Sequence, residues 1–319
     1  MSAAPARTTP VPAVPAAAMV DGLAPRQPPR SLWSDAWRQF RRHRLAMAGT
    51  VVVALLVGMT LLGPALWRTP IDTIDFAASK AAPSAVHPLG TNDLGQDLLA
   101  RIIWGGRISL AVGLCATLVA ITAGVVIGAL AGFFGGAVDS ALMRVTDLFL
   151  ALPTLPLLLL VVYLFRDTMR AAFGPILGVF LIIVLVIGGL AWMPTARLVR
   201  AEFLSVKEKE FVEAARAMGA RDGAIIVKHI LPNVLSPVIV AASLGVGAAI
   251  IAESTLSFLG IGFEPDVPTW GRLLAESRDF LDIAWWMAAG PGAMIFLTVL
   301  SINFIGDGLR DALDPRKTR

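Results

Sequence analysis

The chain has 319 residues, of which 56% are hydrophobic and only 16% are charged, and its mean hydropathy is +0.73. This much apolar length excludes a water-soluble fold of ordinary composition and places the chain in a bilayer. The net charge of +4 does not indicate nucleic-acid binding, because the basic residues are scattered around apolar segments and form no stripe with interleaved aromatic residues.

Residues 1–30 form a stretch that is rich in proline and alanine. They lack the basic start and apolar core of a cleavable signal peptide, so they predict a disordered tail that is retained. Within 31–67, Trp33, Trp37 and Phe40 follow at helical spacing with arginines around them. This pattern predicts an amphipathic helix at the lipid headgroups that leads into the first membrane span.

Six stretches of the chain contain no Asp, Glu, Lys or Arg. Each reaches or approaches the roughly 20 residues that an α-helix needs to cross the hydrocarbon of a membrane. The expected fold is therefore an all-α polytopic membrane protein with six transmembrane helices. Gly124, Gly128 and Gly132 in the second stretch predict a small-residue face for close helix packing. The stretches are 45–67, 108–138, 148–165, 171–196, 230–252 and 283–306.

The placement of lysine and arginine predicts the orientation of the spans. With the N-terminus inside, 19 of the 27 basic residues face the cytoplasm and eight face outside, which is the bias that multi-pass membrane proteins show. The N-terminal tail and the C-terminal tail, 309–319, are therefore expected in the cytoplasm. Residues 68–107 become an external loop, and 108–308 become a five-helix core whose polar segment, about 202–232, faces the cytoplasm.

The sequence contains no Gly-x-x-x-x-Gly-Lys-[Ser/Thr] phosphate loop and no GxSxG, HExxH or CxxC motif. We therefore expect no enzymatic site, no cofactor and no metal on this chain. The three histidines, His43, His87 and His229, are far apart in sequence, and Cys115, the single cysteine, is interpreted as a small buried hydrophobic residue. Any work done on this chain would therefore have to come from a partner, through its polar cytoplasmic segment.

The longest polar interruption in the second half of the chain starts at Glu213. Good helix formers predict a short helix that ends at Gly219, and Asp222 is expected to cap a second short helix that ends before Pro232. The first helix would present small side chains to a partner, with charged side chains around the rim. The small residues are Ala214, Ala215 and Ala217, and the charged ones are Glu213, Arg216 and Arg221.

This segment resembles the EAA loop of ABC-transporter permeases that work with a solute-binding protein. The matching residues are Glu213-Ala214-Ala215, Gly219 and Leu231-Pro232. The pattern departs from the family at His229, where isoleucine usually stands.

The resemblance to one subfamily rests on three further segments, 87–97, 252–260 and 306–315. They are similar to segments of the second, or C-type, permease subunit of dipeptide, oligopeptide and nickel importers. The likeness covers the chain from about residue 31 to residue 315.

The resemblance implies a type I importer permease fold with both termini inside, in the cytoplasmic membrane of a bacterium. It implies as partners a homologous second permease subunit, two cytoplasmic ATPase subunits that use ATP and Mg²⁺, an external substrate-binding protein and the lipid membrane. The substrate would be a short peptide, with nickel or another small solute as the alternative. Coupling to the ATPase would fall to Glu213, Ala214, Ala215, Arg216, Gly219, Ala220, Arg221, Leu231 and Pro232.

Three residues near the membrane are candidates for a gate or pathway. Glu253 is expected near the outer end of the fifth span, where it would shape an external gate or else pair with a neighbouring polar group. Asp147 is one helical turn from Arg144, a spacing that predicts a local ion pair. Pro153 follows, and we expect it to bend the third span.

Two long outer loops contain proline, glycine and several acidic residues, as surfaces that meet another protein often do. The residues predicted to dock an external binding protein are Asp93, Asp97, Asp266 and Trp270. Trp270, together with Trp285 and Trp286, is also expected to lie at the membrane interface.

Two other classes of protein compete with this interpretation. An ion-driven secondary transporter would need carboxylates at the middle of the bilayer, and the six apolar stretches contain none. The second is a membrane scaffold without transport activity. Membranes that contain such a scaffold and its partners would take up no substrate when ATP is hydrolysed, whereas membranes that contain a permease would.

Overall fold

The computed structural model describes residues 32–313, which form twelve α-helices and no β-strand. The tail predicted for 1–30 and the last residues of the C-terminal tail lie outside the described residues. The helices are α1 (Leu32–Arg42), α2 (Arg44–Leu66), α3 (Leu98–Phe134), α4 (Gly136–Ala151), α5 (Thr154–Phe173), α6 (Pro175–Gly189), α7 (Met193–Val206), α8 (Glu210–Ala217), α9 (Asp222–Ala224), α10 (Leu231–Phe258), α11 (Trp270–Ser277) and α12 (Trp286–Leu313).

Four helical segments of the described chain are long and apolar enough to cross a membrane: α2, α3, the continuous segment from α9 to α10, and α12. Two bent pairs of helices, α4 with α5 and α6 with α7, pass the same test when each pair is taken together. Counting each pair as one span gives six spans, so the predicted all-α polytopic fold is confirmed.

The third predicted span differs in shape from the prediction. The stretch 148–165 does not form one helix, because α4 ends at Ala151 and the chain turns by 88° before α5. Leu152 is extended, with φ −79° and ψ 139°, which is the conformation that a following proline imposes. Pro153 therefore lies at the break between two helices, and the prediction of a bend within one helix is wrong in this detail.

The loop predicted for residues 68–107 is shorter in the structure, because α3 begins ten residues earlier than the apolar stretch. Asp97 caps the helix, and its Oδ1 accepts a hydrogen bond from the backbone N–H of Ala100 at 2.7 Å. Residues 98–107 are thus helical, and the loop ends at Asp97. Arg101 lies in the first turns of this helix with only 2% of its surface exposed.

The predicted glycine face of α3 packs directly on α7. A Cβ atom at Gly128 would lie 2.4 Å from the carbonyl oxygen of Ala196, and one at Gly132 would lie 2.6 Å from the Cβ of Phe203. At Gly124 the distance to the Cβ of Thr195 would be 2.6 Å. These glycines allow the two helices to approach more closely than any larger residue would permit.

One hydrophobic cluster connects the polar segment, about 202–232, to the spans. Val212 and Ala215 of α8 are buried together with Phe203 of α7 and Ile225 and Ile230 of the next segment. The cluster also includes residues at the end of α3 and the start of α10. The polar segment is therefore packed onto three spans and is not a free loop.

Candidate functional site

The helical corner is formed by α8, Gly219 and the segment that begins at Asp222. Gly219 has φ +80°, a conformation that favours glycine. Its N–H donates to the carbonyl of Arg216 at 2.9 Å, and the N–H of Ala220 donates to the carbonyl of Ala215 at 3.1 Å. This pair of bonds is a Schellman motif, which ends α8 at the predicted glycine and fixes the direction of the chain.

The second arm of the corner is longer than predicted. The short helix α9 starts at Asp222, with Arg221 as the N-cap residue and no side-chain cap, so the prediction that Asp222 caps this helix is wrong. Residues Ile225–Ile230 form a π-helical turn that continues into α10 through Pro232. The prediction that this helix ends before Pro232 is wrong. The wider π turn accommodates a proline that would otherwise clash with the preceding carbonyl groups.

The histidine at position 229, where the family usually has isoleucine, leaves no gap in the hydrophobic cluster beneath the second arm. Ile230 is fully buried, and His229 is half-buried. Leu231 packs against the same hydrophobic cluster, while Pro232 is exposed. An isoleucine one position along therefore supplies the buried apolar side chain.

The exposed face of α8 is not the one that we predicted. Ala215 is 1% exposed and belongs to the hydrophobic cluster, whereas Ala214 and Ala217 are exposed. Phe211 and Met218 join the exposed face, and Met218 is 81% exposed. The sequence could have predicted this face, because Phe211, Ala214 and Met218 are spaced three and four residues apart, as residues on one helical face are.

Charged side chains border this face. Glu213, Arg216 and Arg221 are all exposed, and the guanidinium of Arg216 lies 5.8 Å from the ring centre of Phe133. Glu213 and Arg221 form no ion pair with any residue in 32–313. The corner thus presents a small apolar surface with charges of both signs at its edge, which is the composition of a protein interface.

Helix α4 is held to α7 by two ion pairs. Asp147 binds Arg197, and Asp139 binds Arg200 through both of its carboxylate oxygens. The predicted Arg144–Asp147 pair does not form, because the arginines of α7 lie across from the α4 carboxylates and Arg144 is exposed. Asp147 therefore helps to attach α4, and its role in a pathway remains a prediction.

Glu253 of α10 is completely buried, on the side of the helix that faces α3. Its carboxylate accepts hydrogen bonds from the hydroxyl groups of Ser109 at 3.1 Å and Ser257 at 2.8 Å. The Ser109 hydroxyl in turn accepts the backbone N–H of Trp270 at 3.2 Å. These contacts fit the pairing alternative for Glu253, and the gate role remains a prediction.

Two of the four predicted docking residues lie inside the fold. Asp97 is 2% exposed and accepts hydrogen bonds from Trp67 and Ala100, with His87 Nδ1 at 2.8 Å from its Oδ2. Trp270 is fully buried, and its Nε1 donates to the carbonyl of Ile102. Burial removes both from a docking surface and removes Trp270 from the membrane interface.

Asp266 is exposed, and Asp93 lies in the wall of a recess of about 410 Å³. Glu276 lines the same recess and lies 3.3 Å from the buried Arg101. Burial raises the pKa of the Glu276 carboxyl, while Arg101 and Arg272 oppose this shift. Asp93 and Asp266 are thus the two predicted docking residues that the fold does not bury.

A second cavity, of about 540 Å³, lies between α3, α5, α6, α7 and α10. Alanine, leucine and isoleucine dominate its walls, and among the described residues that line it none is charged. Its hydroxyl groups come from Thr117, Thr154 and Thr195. Such a cavity offers little that would bind a polar solute tightly.

The fold and this site define a multi-pass transport permease. The chain belongs to the family described as "Binding-protein-dependent transport system inner membrane component", which matches residues 124–319. Residues 31–83 match the "N-terminal TM domain of oligopeptide transport permease C". The predicted membership is therefore confirmed, as is the location in the inner membrane.

Curated relatives are similar over nearly the whole chain. The oligopeptide transport system permease protein OppC of Haemophilus influenzae is 40% identical over 90% of this chain and 89% of its own length. The dipeptide transport system permease protein DppC of Alkalihalophilus pseudofirmus is 37% identical, with 90% of both chains covered. The glutathione transport system permease protein GsiD of Pectobacterium atrosepticum is 39% identical over 90% of this chain and 92% of its own.

Among solved structures, an inward-facing form of the MetNI methionine ABC transporter has the same fold. The likeness covers 68% of this chain and 96% of that chain, with a TM-score of 0.52 and 20% sequence identity. This likeness confirms the predicted type I importer permease fold.

Proposed function

We propose that this chain is a permease subunit of an ATP-driven importer and that the helical corner at Gly219 receives the mechanical work. The observation that carries the proposal is an exposed apolar face with unpaired charges on a segment packed rigidly onto the spans. A surface of this kind is suited to bind a partner, and its packing is suited to transmit the partner's movement.

The path of the movement follows from the contacts of α8. Val212 and Ala215 lie in one cluster with Phe203 of α7 and Val234 of α10. Packed interiors transmit displacement because they deform little. A shift of α8 would therefore move α7 and α10, and both of these helices line the apolar cavity.

The partners follow from the family. Two cytoplasmic ATPase subunits would use ATP and Mg²⁺, and a homologous second permease subunit would complete the translocation path. An external binding protein would deliver the substrate to the outer face, where Asp93 and Asp266 are available for contact.

The proposed substrate is a short peptide. The relatives that are 37–40% identical carry names for dipeptide, oligopeptide and glutathione transport. An uncharged cavity suits this assignment, because it would let peptides with different side chains pass without holding any of them. Nickel or another small solute is the alternative, and an ion-driven transporter is a more distant one.

Uptake into proteoliposomes tests the proposal. We expect the chain, reconstituted with its partner subunits and binding protein, to accumulate a labelled dipeptide or oligopeptide only when ATP is hydrolysed. The matched control contains the same components with a non-hydrolysable ATP analogue. Uptake driven by a proton or sodium gradient without ATP would contradict the proposal. ATP-dependent uptake of nickel but not of peptide would keep the importer class and change the assigned substrate to nickel.

A further inference from the structure

We propose that the junction of α1 and α2 is a binding site for the phosphate groups of anionic phospholipids. The site consists of Arg41 and Arg42 at the end of α1 and Arg44 at the start of α2. All three side chains are exposed, and none forms an ion pair with an acidic side chain of the described residues. Three guanidinium groups within four residues are a concentrated positive charge, and no acidic side chain of the described residues forms an ion pair with them.

The membrane positions these arginines at the depth of the lipid phosphates. Arg44 is the first residue of α2, and the rest of this helix, up to Leu66, contains no charged residue. The hydrocarbon boundary therefore falls at Arg44. Trp37 on α1 is 59% exposed and stacks on Phe40, with ring centres 6.0 Å apart. An exposed tryptophan beside arginines is typical of a segment at the headgroup level.

Packing holds the junction in a fixed geometry. Phe40 and Ala46 are buried against the end of α12. The helices are so close there that a Cβ atom added at Gly308 would lie 2.3 Å from the Cβ of Ala46. Gln39 donates a hydrogen bond to the carbonyl of Asp311 at 2.8 Å. His43 joins the two helices, and its Nδ1 accepts the N–H of Ala46.

An arginine cluster whose backbone is held at the membrane surface is suited to bind lipid phosphates. A guanidinium group offers two parallel N–H donors to phosphate oxygens. Basic clusters on an amphipathic helix beside a membrane span attract anionic lipids, and each arginine contributes on the order of a fivefold change in binding. Because the cluster is positively charged and lies at the headgroup level, we take an anionic lipid as its ligand. The test below distinguishes this from binding of a cytoplasmic protein to the same surface.

The test compares lipid selectivity in the purified complex, which contains this chain and its partner subunits. Spin-labelled phosphatidylglycerol and spin-labelled phosphatidylcholine serve as probes in bilayers of neutral lipid. We expect the wild type to prefer phosphatidylglycerol, and the preference to fall by roughly a hundredfold in Arg41→Gln/Arg42→Gln/Arg44→Gln, since each of the three arginines contributes about fivefold. The lysine triple variant should keep most of the preference, because the charge remains.

Arg68→Gln is the matched control, since it removes an exposed arginine just beyond the other end of α2. It should not change the selectivity. If the triple glutamine variant does not assemble, Arg42→Gln alone should show a smaller loss. An unchanged preference in an assembled glutamine variant would overturn the proposal, as would an equal loss in Arg68→Gln. Loss of ATPase binding without loss of lipid selectivity would assign the surface to a protein instead.

Discussion

Replacing Gly219 with proline is expected to reduce ATP-driven uptake strongly while the protein still inserts into the membrane. Proline fixes φ near −65° and has no N–H, whereas Gly219 has φ +80° and donates to the carbonyl of Arg216. The Schellman motif would therefore break, and α8 would point away from its present direction. We expect uptake to fall by roughly tenfold or more, a loss within the range of ordinary coupling free energies.

Two further substitutions make this prediction specific to the corner. Gly219→Asn should retain most of the uptake, because asparagine is the residue after glycine that best tolerates this conformation. Gly223→Ala is the matched control, since a Cβ there meets no atom within 4 Å and φ is not positive. The measurement is peptide uptake per ATP hydrolysed in proteoliposomes. Full uptake by Gly219→Pro would show that the corner geometry is not needed.

Replacing Gly128 with leucine is expected to prevent the close packing of α3 on α7. The Cβ alone would lie 2.4 Å from the Ala196 carbonyl oxygen and 2.8 Å from the Cβ of Val199. The first of these atoms belongs to the backbone, so the helices must separate. We expect a destabilisation of about 1–3 kcal/mol or more, together with a loss of uptake, because α7 carries Phe203 into the cluster beneath the corner.

Gly58→Leu provides the comparison for this variant. Gly58 also lies inside a spanning helix, α2, but a Cβ there meets nothing within 4 Å. Thermal unfolding of the purified complex should show a lower Tm for Gly128→Leu and little change for Gly58→Leu. Equal stability of the two variants would contradict the tight α3–α7 contact.

Features that depend on local sequence were predicted well. The uncharged stretches mark the spans because a membrane requires about 20 apolar residues in a row. The glycine spacing at 124, 128 and 132 marks a packing face, and Gly219 marks a helix end because few other residues adopt its conformation. These signals do not depend on the rest of the fold.

Features that depend on tertiary contacts were predicted less well. Spacing alone paired Asp147 with Arg144, but α7 places Arg197 against Asp147 instead. The acidic character of Asp97 suggested a surface, yet its carboxylate caps α3 inside the fold. In the same way, Ala215 looked like part of an exposed face until α7 and α10 were found to cover it. Spacing in the sequence shows which residues share one face of a helix, but the neighbouring helices determine whether that face is buried.

Cross-linking at Met218 tests the central claim most directly, namely that the corner lies on the cytoplasmic side and contacts an ATPase. Met218 is 81% exposed at the corner. Met218→Cys, in a background with Cys115→Ala, should cross-link to an ATPase subunit and should react with a membrane-impermeant thiol reagent only in inside-out vesicles. Val86→Cys, 71% exposed in the outer loop, should react only from the opposite side. Labelling of Met218→Cys from outside, or no cross-link to an ATPase in the assembled complex, would contradict the account.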